Sequence, residues 1–203
     1  HSFPTRRSSD LTTRKNQFRK DYSSDHVIDD NPENGEVLQK RTWQGASDSS
    51  AWSRGQAWGL YGYTVMYRFT KNKAYLEQAK HIAHFILTNP NMPADMIPYW
   101  DYNAPDIPDV PRDASAAAVT ASALLELGQY ADASDKKTYL NAATKMIRSL
   151  SSPAYRAGLG RNGGFLLKHS TGAMPFHSEV DVPLTYADYY FLEALLRYKK
   201  WYL

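Results

Sequence analysis

Cysteine is absent from the 203-residue chain, so disulfide bonds and thiolate metal sites are excluded. No apolar run approaches the roughly 20 residues that a membrane-spanning helix needs, and we expect no membrane partner. Lysine and arginine barely outnumber aspartate and glutamate, 24 against 21, and no basic run interrupts the part expected to fold. We therefore expect no nucleic-acid partner, although a small acidic ligand suits the mildly positive charge.

Aromatic residues, by contrast, are abundant, with 15 tyrosines and 5 tryptophans. Three of the tryptophans lie between residues 43 and 58, where Trp58 follows Arg54 by one helical turn. A cation and flat apolar rings on one helical stripe suit an anionic, ring-shaped ligand such as a sugar acid. The alternative is that these rings pack in the core, which is the commoner fate of aromatic residues at helical spacing.

The first eleven residues differ from the rest of the chain. They show no helical or strand period, and they lack the apolar core of a secretion signal. We interpret residues 1–11 as a non-native leader and residues 12–203 as one domain. Within that domain, Asn34-Gly35 separates two short extended segments, a pattern that predicts a β-hairpin.

Helical patterns dominate the remainder. They predict helices at about 51–70, 73–87, 113–128, 135–150 and 184–199, and short strands at about 164–167. Asp113 is the predicted N-cap of the third helix. Tyr75-Leu76 recurs as Tyr139-Leu140, a shift of 64 residues. A repeat of two helices predicts an all-α fold of stacked helical hairpins, about three of them, each with one inner and one outer helix.

Several motifs, in this order and spacing, resemble glycoside hydrolase family 88, the unsaturated glucuronyl hydrolases. They are Asp25-His26-Val-Ile, Thr42-Trp43-Gln44-Gly45, Trp52-Ser-Arg54-Gly55-Gln56-Ala-Trp58-Gly59, Pro98-Tyr99-Trp100-Asp101-Tyr102, Arg112-Asp113-Ala-Ser115 and Glu179-Val-Asp181-Val-Pro183. The resemblance spans roughly residues 13–199. It implies a partial (α/α)6 barrel, with this chain as its C-terminal half.

The resemblance also implies a substrate and a reaction. The substrate is an oligosaccharide with a 4,5-unsaturated uronic acid at its non-reducing end. An aspartate protonates C4, water adds at C5, and the resulting hemiketal collapses with loss of the glycosidic bond. No metal or organic cofactor is implied. The family's general acid lies upstream of the segment matching His26, so we expect no catalytic aspartate here and no activity from this chain alone.

Six residues match substrate-binding positions of the family. The implied roles are a site histidine for His26, a sugar-contacting glutamine for Gln44 and a partner of the uronate for Arg54. Trp58 and Trp100 are the implied stacking rings, and His169 is the residue implied at the rim. Simpler structural roles stand beside these. His26 can cap backbone, Arg54 can form a surface salt bridge, Trp100 can pack in the core and His169 can sit in a solvated turn.

Two other functions stay open at this point. An unsaturated rhamnogalacturonyl hydrolase shares the barrel and the chemistry, and a non-catalytic helical carbohydrate-binding protein would use the same aromatic stripe. The catalytic residue is left unassigned, because Asp29, Asp30 and Asp48 are merely carboxylates and Asp113 fits a helix cap better. The cell compartment, a bacterial-type cytoplasm or periplasm, is not decided by the sequence.

Overall fold

The computed structural model describes residues 12–203, so the leader predicted at residues 1–11 lies outside the described residues. The described part contains a two-stranded sheet and five long helices. In chain order the elements are β1 (Val27–Asp30), β2 (Val37–Arg41), α1 (Ser53–Thr70), α2 (Lys73–Thr88), α3 (Ala114–Leu127), α4 (Ala133–Ser151) and α5 (Thr185–Tyr202), with short 3-10 turns at Asn162–Gly164 and Met174–Phe176 before α5.

The predicted β-hairpin is confirmed. Strands β1 and β2 pair antiparallel, with an irregular register between Asp29 and Asp30. The N–H of Gly35 donates to the carbonyl of Asn31 at 2.8 Å. Gly35 has a φ of +73°, a conformation that glycine adopts without steric cost. The hairpin places His26, just before β1, opposite the chain segment that follows β2.

Three of the helices begin at a side chain that caps the first turn. Asn72 accepts a hydrogen bond from the N–H of Ala74 at the start of α2, and Asp132 accepts two at the start of α4. Asp113 accepts from Ser115 and Ala116 at the start of α3, which confirms the predicted cap. Each cap satisfies backbone donors that the first turn of a helix leaves unpaired.

The short strands predicted at residues 164–167 were wrong. Asn162–Gly164 forms a 3-10 turn, and Gly163 and Gly164 have positive φ values. Left-handed glycines turn the chain where a strand would have to run straight. In this stretch Leu167 makes an isolated bridge to Arg156.

The helices form the predicted hairpin arrangement. α1 packs on α2, and α3 packs on α4. α3 also contacts α1 and α5, and all 14 of its residues are buried. Its small residues, an Ala-Ser-Ala-Ala-Ala run at the start, allow neighbouring helices to approach closely. The all-α prediction is confirmed, with α1, α3 and α5 as an inner row and α2 and α4 behind it.

One face of α5 is apolar and exposed. Tyr189, Leu192 and Leu196 follow one another at helical spacing and all lie on the surface. An apolar stripe of this kind is typical of a face that contacts another segment or partner. Among residues 12–203, none of the helices combines the length and apolar character that crossing a bilayer requires.

Candidate functional site

A buried ion pair joins the starts of two inner helices. Nη1 of Arg54, in the first turn of α1, lies 2.9 Å from Oδ2 of Asp113, the cap of α3. The side chains are 3% and 0% exposed. Burying either charge alone would cost several kcal/mol, so each makes the position of the other tolerable. The alternative of a salt bridge on the helix surface therefore does not describe Arg54.

The same guanidinium holds a loop in place. Nη1 and Nη2 of Arg54 donate to the carbonyls of Thr171 and Gly172, each at 2.6 Å. The plane lies against the rings of Trp52 and Tyr186, with Arg54 Cζ 4.7 and 5.4 Å from their centroids. Enclosed in this way, Arg54 lies beneath the surface and fixes the main chain at residues 171–172.

The two carboxylate oxygens of Asp113 bind different partners. Oδ1 accepts from the N–H of Ser115 at 3.0 Å and from the Ser115 hydroxyl at 2.5 Å. Oδ2 faces Arg54. Because both oxygens are engaged and the side chain is fully buried, Asp113 is a structural carboxylate rather than a free acid.

His26 is held as a neutral imidazole by the turn after β2. Its Nδ1 accepts from the backbone N–H groups of Trp43 and Gln44, at 3.1 and 3.2 Å. A nitrogen that accepts two N–H groups carries no proton, so the remaining proton is on Nε2. Burial, and secondarily the charge of Arg54, lowers the pKa of His26. The half-buried ring lies 4.5 Å from the ring of Trp52.

Gln44 connects that turn to the loop that Arg54 holds. Its Nε2 donates to the carbonyl of Gly172 at 2.7 Å. The Gly172 carbonyl therefore accepts from both Gln44 and Arg54. Gly172 also has to be glycine, because a Cβ there would lie 2.6 Å from the Cβ of Glu179. His26, Gln44 and Arg54 thus form one connected group.

Trp58 borders a largely apolar cavity of about 510 Å³ between α1 and the segment that precedes β1. His26, Trp52, Gly59 and Gly62 line the same cavity. The Trp58 ring meets Tyr190 edge to face, with centroids 5.0 Å apart. The structure therefore brings His26 and Trp58 to one concave surface that has room for a ring-shaped ligand.

The two remaining predicted residues lie elsewhere. Trp100 is 5% exposed and packs with Trp52 and Ala104, so the core alternative describes it better than stacking on a sugar. The side chain of His169 is 40% exposed, and its Nδ1 lies 2.6 Å from Oδ1 of Asp181. Its own carbonyl accepts from the N–H of Ala114, so the backbone of His169 reaches the site's edge while its ring pairs with Asp181.

Sequence reasoning missed the loop at residues 171–172 and the part played by Tyr186. Nothing in a Ser-Thr-Gly sequence indicates that two of its carbonyls bind a buried arginine. Tyr186 stands in the first turn of α5, and its place in a motif that resembles the family does not indicate that its ring lies against Arg54. Within residues 12–203, no group of three or more histidine, aspartate or glutamate side chains is arranged to hold a metal ion.

Comparison with known proteins shows which proteins the chain resembles. No protein-family model matches the chain. It is 51% identical over 186 residues to an unsaturated glucuronyl hydrolase of Formosa agariphila, covering 92% of this chain and 46% of that protein. The crystal structure of an unsaturated glucuronyl hydrolase specific for heparin superposes with a TM-score of 0.93 at 53% identity, covering 96% of this chain and 52% of that one.

A second solved structure is similar at lower identity. The unsaturated glucuronyl hydrolase of Bacillus sp. GL1, responsible for the degradation of glycosaminoglycan, superposes with a TM-score of 0.87 at 34% identity, covering 94% of this chain and 50% of that one. These superpositions confirm the predicted fold class, part of an (α/α)6 barrel. The chain spans about half the length of the relatives it matches.

Proposed function

Because the chain is a homologue of the unsaturated glucuronyl hydrolases, glycoside hydrolase family 88, and spans about half their length, we propose that it forms the substrate-binding wall of such an enzyme. The complete gene product containing this chain would remove a 4,5-unsaturated uronic acid from the non-reducing end of lyase-generated oligosaccharides. The observation that carries the proposal is the grouping of His26, Gln44 and Trp58 around the buried Arg54.

The proposed reaction is hydration of the C4=C5 double bond. A general acid gives a proton to C4, and positive charge develops at C5 and the ring oxygen. Water adds its oxygen to C5, keeps one proton as the new hydroxyl and gives the other to the same group acting as base. The hemiketal then opens, C1 is released from the leaving sugar, and the products are a keto sugar acid and a shortened oligosaccharide.

The surroundings of Trp58, His26 and Arg54 indicate how each residue would act on the sugar. Trp58 offers a flat face at the cavity for the C–H side of the sugar. Neutral His26 keeps a proton on Nε2, which suits donation to a sugar hydroxyl or to water. Arg54 supplies positive charge beneath the sugar and, through Gly172, keeps Gln44 in position. We propose this indirect role in place of open contact with the uronate, since its guanidinium is enclosed.

The general acid is proposed to come from outside residues 12–203. Asp113 is buried and fully engaged. Asp29 accepts two hydrogen bonds from Arg41, which lower its pKa and hold it ionised. A carboxylate kept ionised in this way is a poor proton donor. We therefore expect the 203-residue chain on its own to show no turnover.

The test uses the complete gene product and the ultraviolet absorbance of the conjugated double bond of an unsaturated chondroitin disaccharide. We expect the absorbance to fall with wild-type protein, and kcat/KM to drop at least about tenfold in Trp58→Ala, a loss near 1.4 kcal/mol. Trp201→Ala, near the far end of α5, is the matched control and should keep its rate.

Three results would overturn the proposal. Turnover confined to an unsaturated rhamnogalacturonan product would identify the other hydrolase class. Binding of the disaccharide without any turnover would identify a carbohydrate-binding protein. A Trp58→Ala protein that loses about 3–5 kcal/mol of stability but keeps its affinity would show that the ring belongs to the core.

A further inference from the structure

Two glutamine side chains hold the main chain beside His26. Gln56, in α1, is 1% exposed. Its Oε1 accepts from the N–H of Ser24 at 2.8 Å and from the Ser24 hydroxyl at 3.3 Å. Its Nε2 donates to the carbonyls of Trp52 and Ser24, at 3.2 and 3.4 Å. The Gln56 amide therefore pairs with both backbone groups of Ser24, two residues before His26, and binds them to the helix.

Gln17 binds the same segment through a second amide. Its Nε2 donates to the carbonyls of Asp25 and His26, at 3.1 and 3.0 Å. An amide nitrogen carries two protons, and here each of them has a carbonyl acceptor. The carbonyl of Gln17 in turn accepts from the N–H of Asp25 at 2.8 Å. The main chain at residues 24–26 is thus fixed by two separate side chains.

A buried glutamine at this place requires a reason. Glutamine is rarely fully buried, because an amide group without a partner costs free energy in a dry interior. Among residues 12–203, every hydrogen bond of the Gln56 side chain goes to Ser24 or Trp52. The ring of Trp52 lies 4.5 Å from the ring of His26. The polar contacts of Gln56 are therefore concentrated around His26.

The position of the His26 ring depends on that main chain. Its Nδ1 accepts from the N–H groups of Trp43 and Gln44, in the turn after β2. Hydrogen bonds weaken steeply when the donor is out of line, so a shift of the His26 main chain would loosen both. The ring also lines the cavity with Trp58, where a small displacement would misplace it against a ligand.

We propose that Gln17 and Gln56 are positioning residues that act through His26. They hold its main chain so that Nδ1 stays aligned with the two N–H groups and the ring stays at the cavity wall. The contribution of this ring to turnover rests on the proposed function. In this role neither glutamine contacts the sugar, so the effect of both on the reaction should disappear when His26 is absent.

The kinetic test uses the complete gene product and an unsaturated chondroitin disaccharide. Gln17→Met and Gln56→Met keep the length of the side chain but remove its amide. We expect kcat/KM to fall about tenfold in each, because the imidazole is no longer held in place. Gln17→Met serves where Gln56→Met fails to fold, since Gln17 is only half-buried.

Gln78→Met is the matched control. Gln78 is another buried glutamine, 5% exposed, but it lies in α2, and its Nε2 has no hydrogen-bond partner among residues 12–203. Its replacement should leave kcat/KM at the wild-type value. If Gln17→Met and Gln56→Met also kept the wild-type value, the glutamines would have no part in positioning the site.

A double-mutant cycle distinguishes action through His26 from a merely structural role. When two residues act as one unit, removing the second costs little once the first is gone. We therefore expect Gln17→Met/His26→Ala and Gln56→Met/His26→Ala to have kcat/KM within about twofold of His26→Ala alone. Losses that multiply would refute the proposal, because the glutamines would then act on the substrate or on another group.

Amide hydrogen exchange separates this proposal from the proposed function, since it needs no substrate. The N–H groups of Trp43 and Gln44 should exchange about tenfold faster in Gln17→Met and Gln56→Met, relative to the buried amides of α3, and at the wild-type rate in Gln78→Met. If this pattern appeared without turnover by the wild type, the proposed function alone would fail. Unchanged exchange in both site variants would overturn the positioning role, whatever the turnover.

Discussion

Helix α3 carries a buried ion cluster at each end, and the two clusters serve different purposes. At its start, Asp113 pairs with Arg54, whose other N–H groups hold the carbonyls of Thr171 and Gly172. Near its end, Glu126 pairs with Arg197 and Arg68 at 2.8 and 3.3 Å. Both clusters pair a buried carboxylate with a guanidinium. The first cluster positions a loop, whereas the second joins helix to helix.

The side chains of the second cluster come from the inner helices α1, α3 and α5. Glu193 on α5 pairs with Arg197 and accepts from the hydroxyls of Ser122 and Tyr61. Burial, followed by the charge of Glu193, raises the pKa of Tyr61 to about 12, so Tyr61 stays a neutral donor. This network locks α1, α3 and α5 together.

Under the proposed function, the two clusters separate effects on stability from effects on substrate binding. From Asp113 to Glu126 the chain advances about 20 Å along the helix axis. Energetic effects at sites so far apart are expected to add independently. Changes at Glu126 should therefore alter stability alone, and changes at Arg54 or Asp113 should alter both stability and the site.

The largest effect is expected for Asp113→Ala, which leaves the buried guanidinium of Arg54 without its partner. We expect a loss of about 3–5 kcal/mol, together with about 1 kcal/mol for the lost cap. Denaturant unfolding of the complete gene product measures it. The double variant Asp113→Ala/Arg54→Met should lose less than the sum of the single changes. Strict additivity would show that the pair is not coupled.

Glu126→Ala tests the other end of α3. We expect about 3 kcal/mol of destabilisation, because Arg197 remains buried with one partner fewer. The variant's KM for the disaccharide should match wild type wherever the protein is still folded. An altered KM would break the proposed division between the two clusters.

Arg54→Lys should separate loop positioning from charge. A lysine keeps the positive charge but cannot reach Asp113 and two carbonyls with one planar group. We expect about 1–2 kcal/mol less stability, the scale of a lost buried hydrogen bond, and a fall of about tenfold in kcat/KM. The matched change at the other end, Arg197→Lys, should reduce stability similarly. If Arg54→Lys kept wild-type kinetics, its assignment to the site would fail.

Local sequence rules predicted the parts of this fold that depend on neighbouring residues. The Asp-Ala-Ser spacing identified Asp113 as a cap, and Asn34-Gly35 identified the hairpin. The rules failed at residues 164–167, where Gly163 and Gly164 turn the chain. They also could not pair Arg54 with Asp113, because these residues are 59 positions apart and only helix packing brings them together.

Burial distinguishes two tryptophans that residue type alone does not. Trp58 and Trp100 both matched stacking positions by sequence, yet the first borders the cavity and the second packs beneath Trp52. The tautomer of His26 was equally hidden, since it depends on two backbone N–H groups of a turn some 17 residues later. Sequence similarity proposed the members of the site, and tertiary contacts show the surroundings of each one.

The smallest expected effect is the pH response of His26, which lies at the Arg54 end of α3. Burial and then Arg54 lower its pKa in the folded protein below the ordinary value of 6.5. Below about pH 6.5 the unfolded chain therefore binds a proton that the folded form does not, so stability falls as pH falls. His26→Gln removes this contribution, and the wild-type protein should lose melting temperature more steeply between pH 7.5 and 5.5.

The measurement is the difference in melting temperature between wild type and His26→Gln at the two pH values. Acidification from pH 7.5 to 5.5 should lower the melting temperature of the wild type by at most about 2 °C more than that of His26→Gln, a small change for a protein of this size. Glu126→Gln is the matched control, because it alters the cluster that does not contact His26 and should keep the wild-type pH response. A difference that stays constant with pH would mean that His26 titrates alike in folded and unfolded protein, and that the charge of Arg54 is screened from the imidazole beside it.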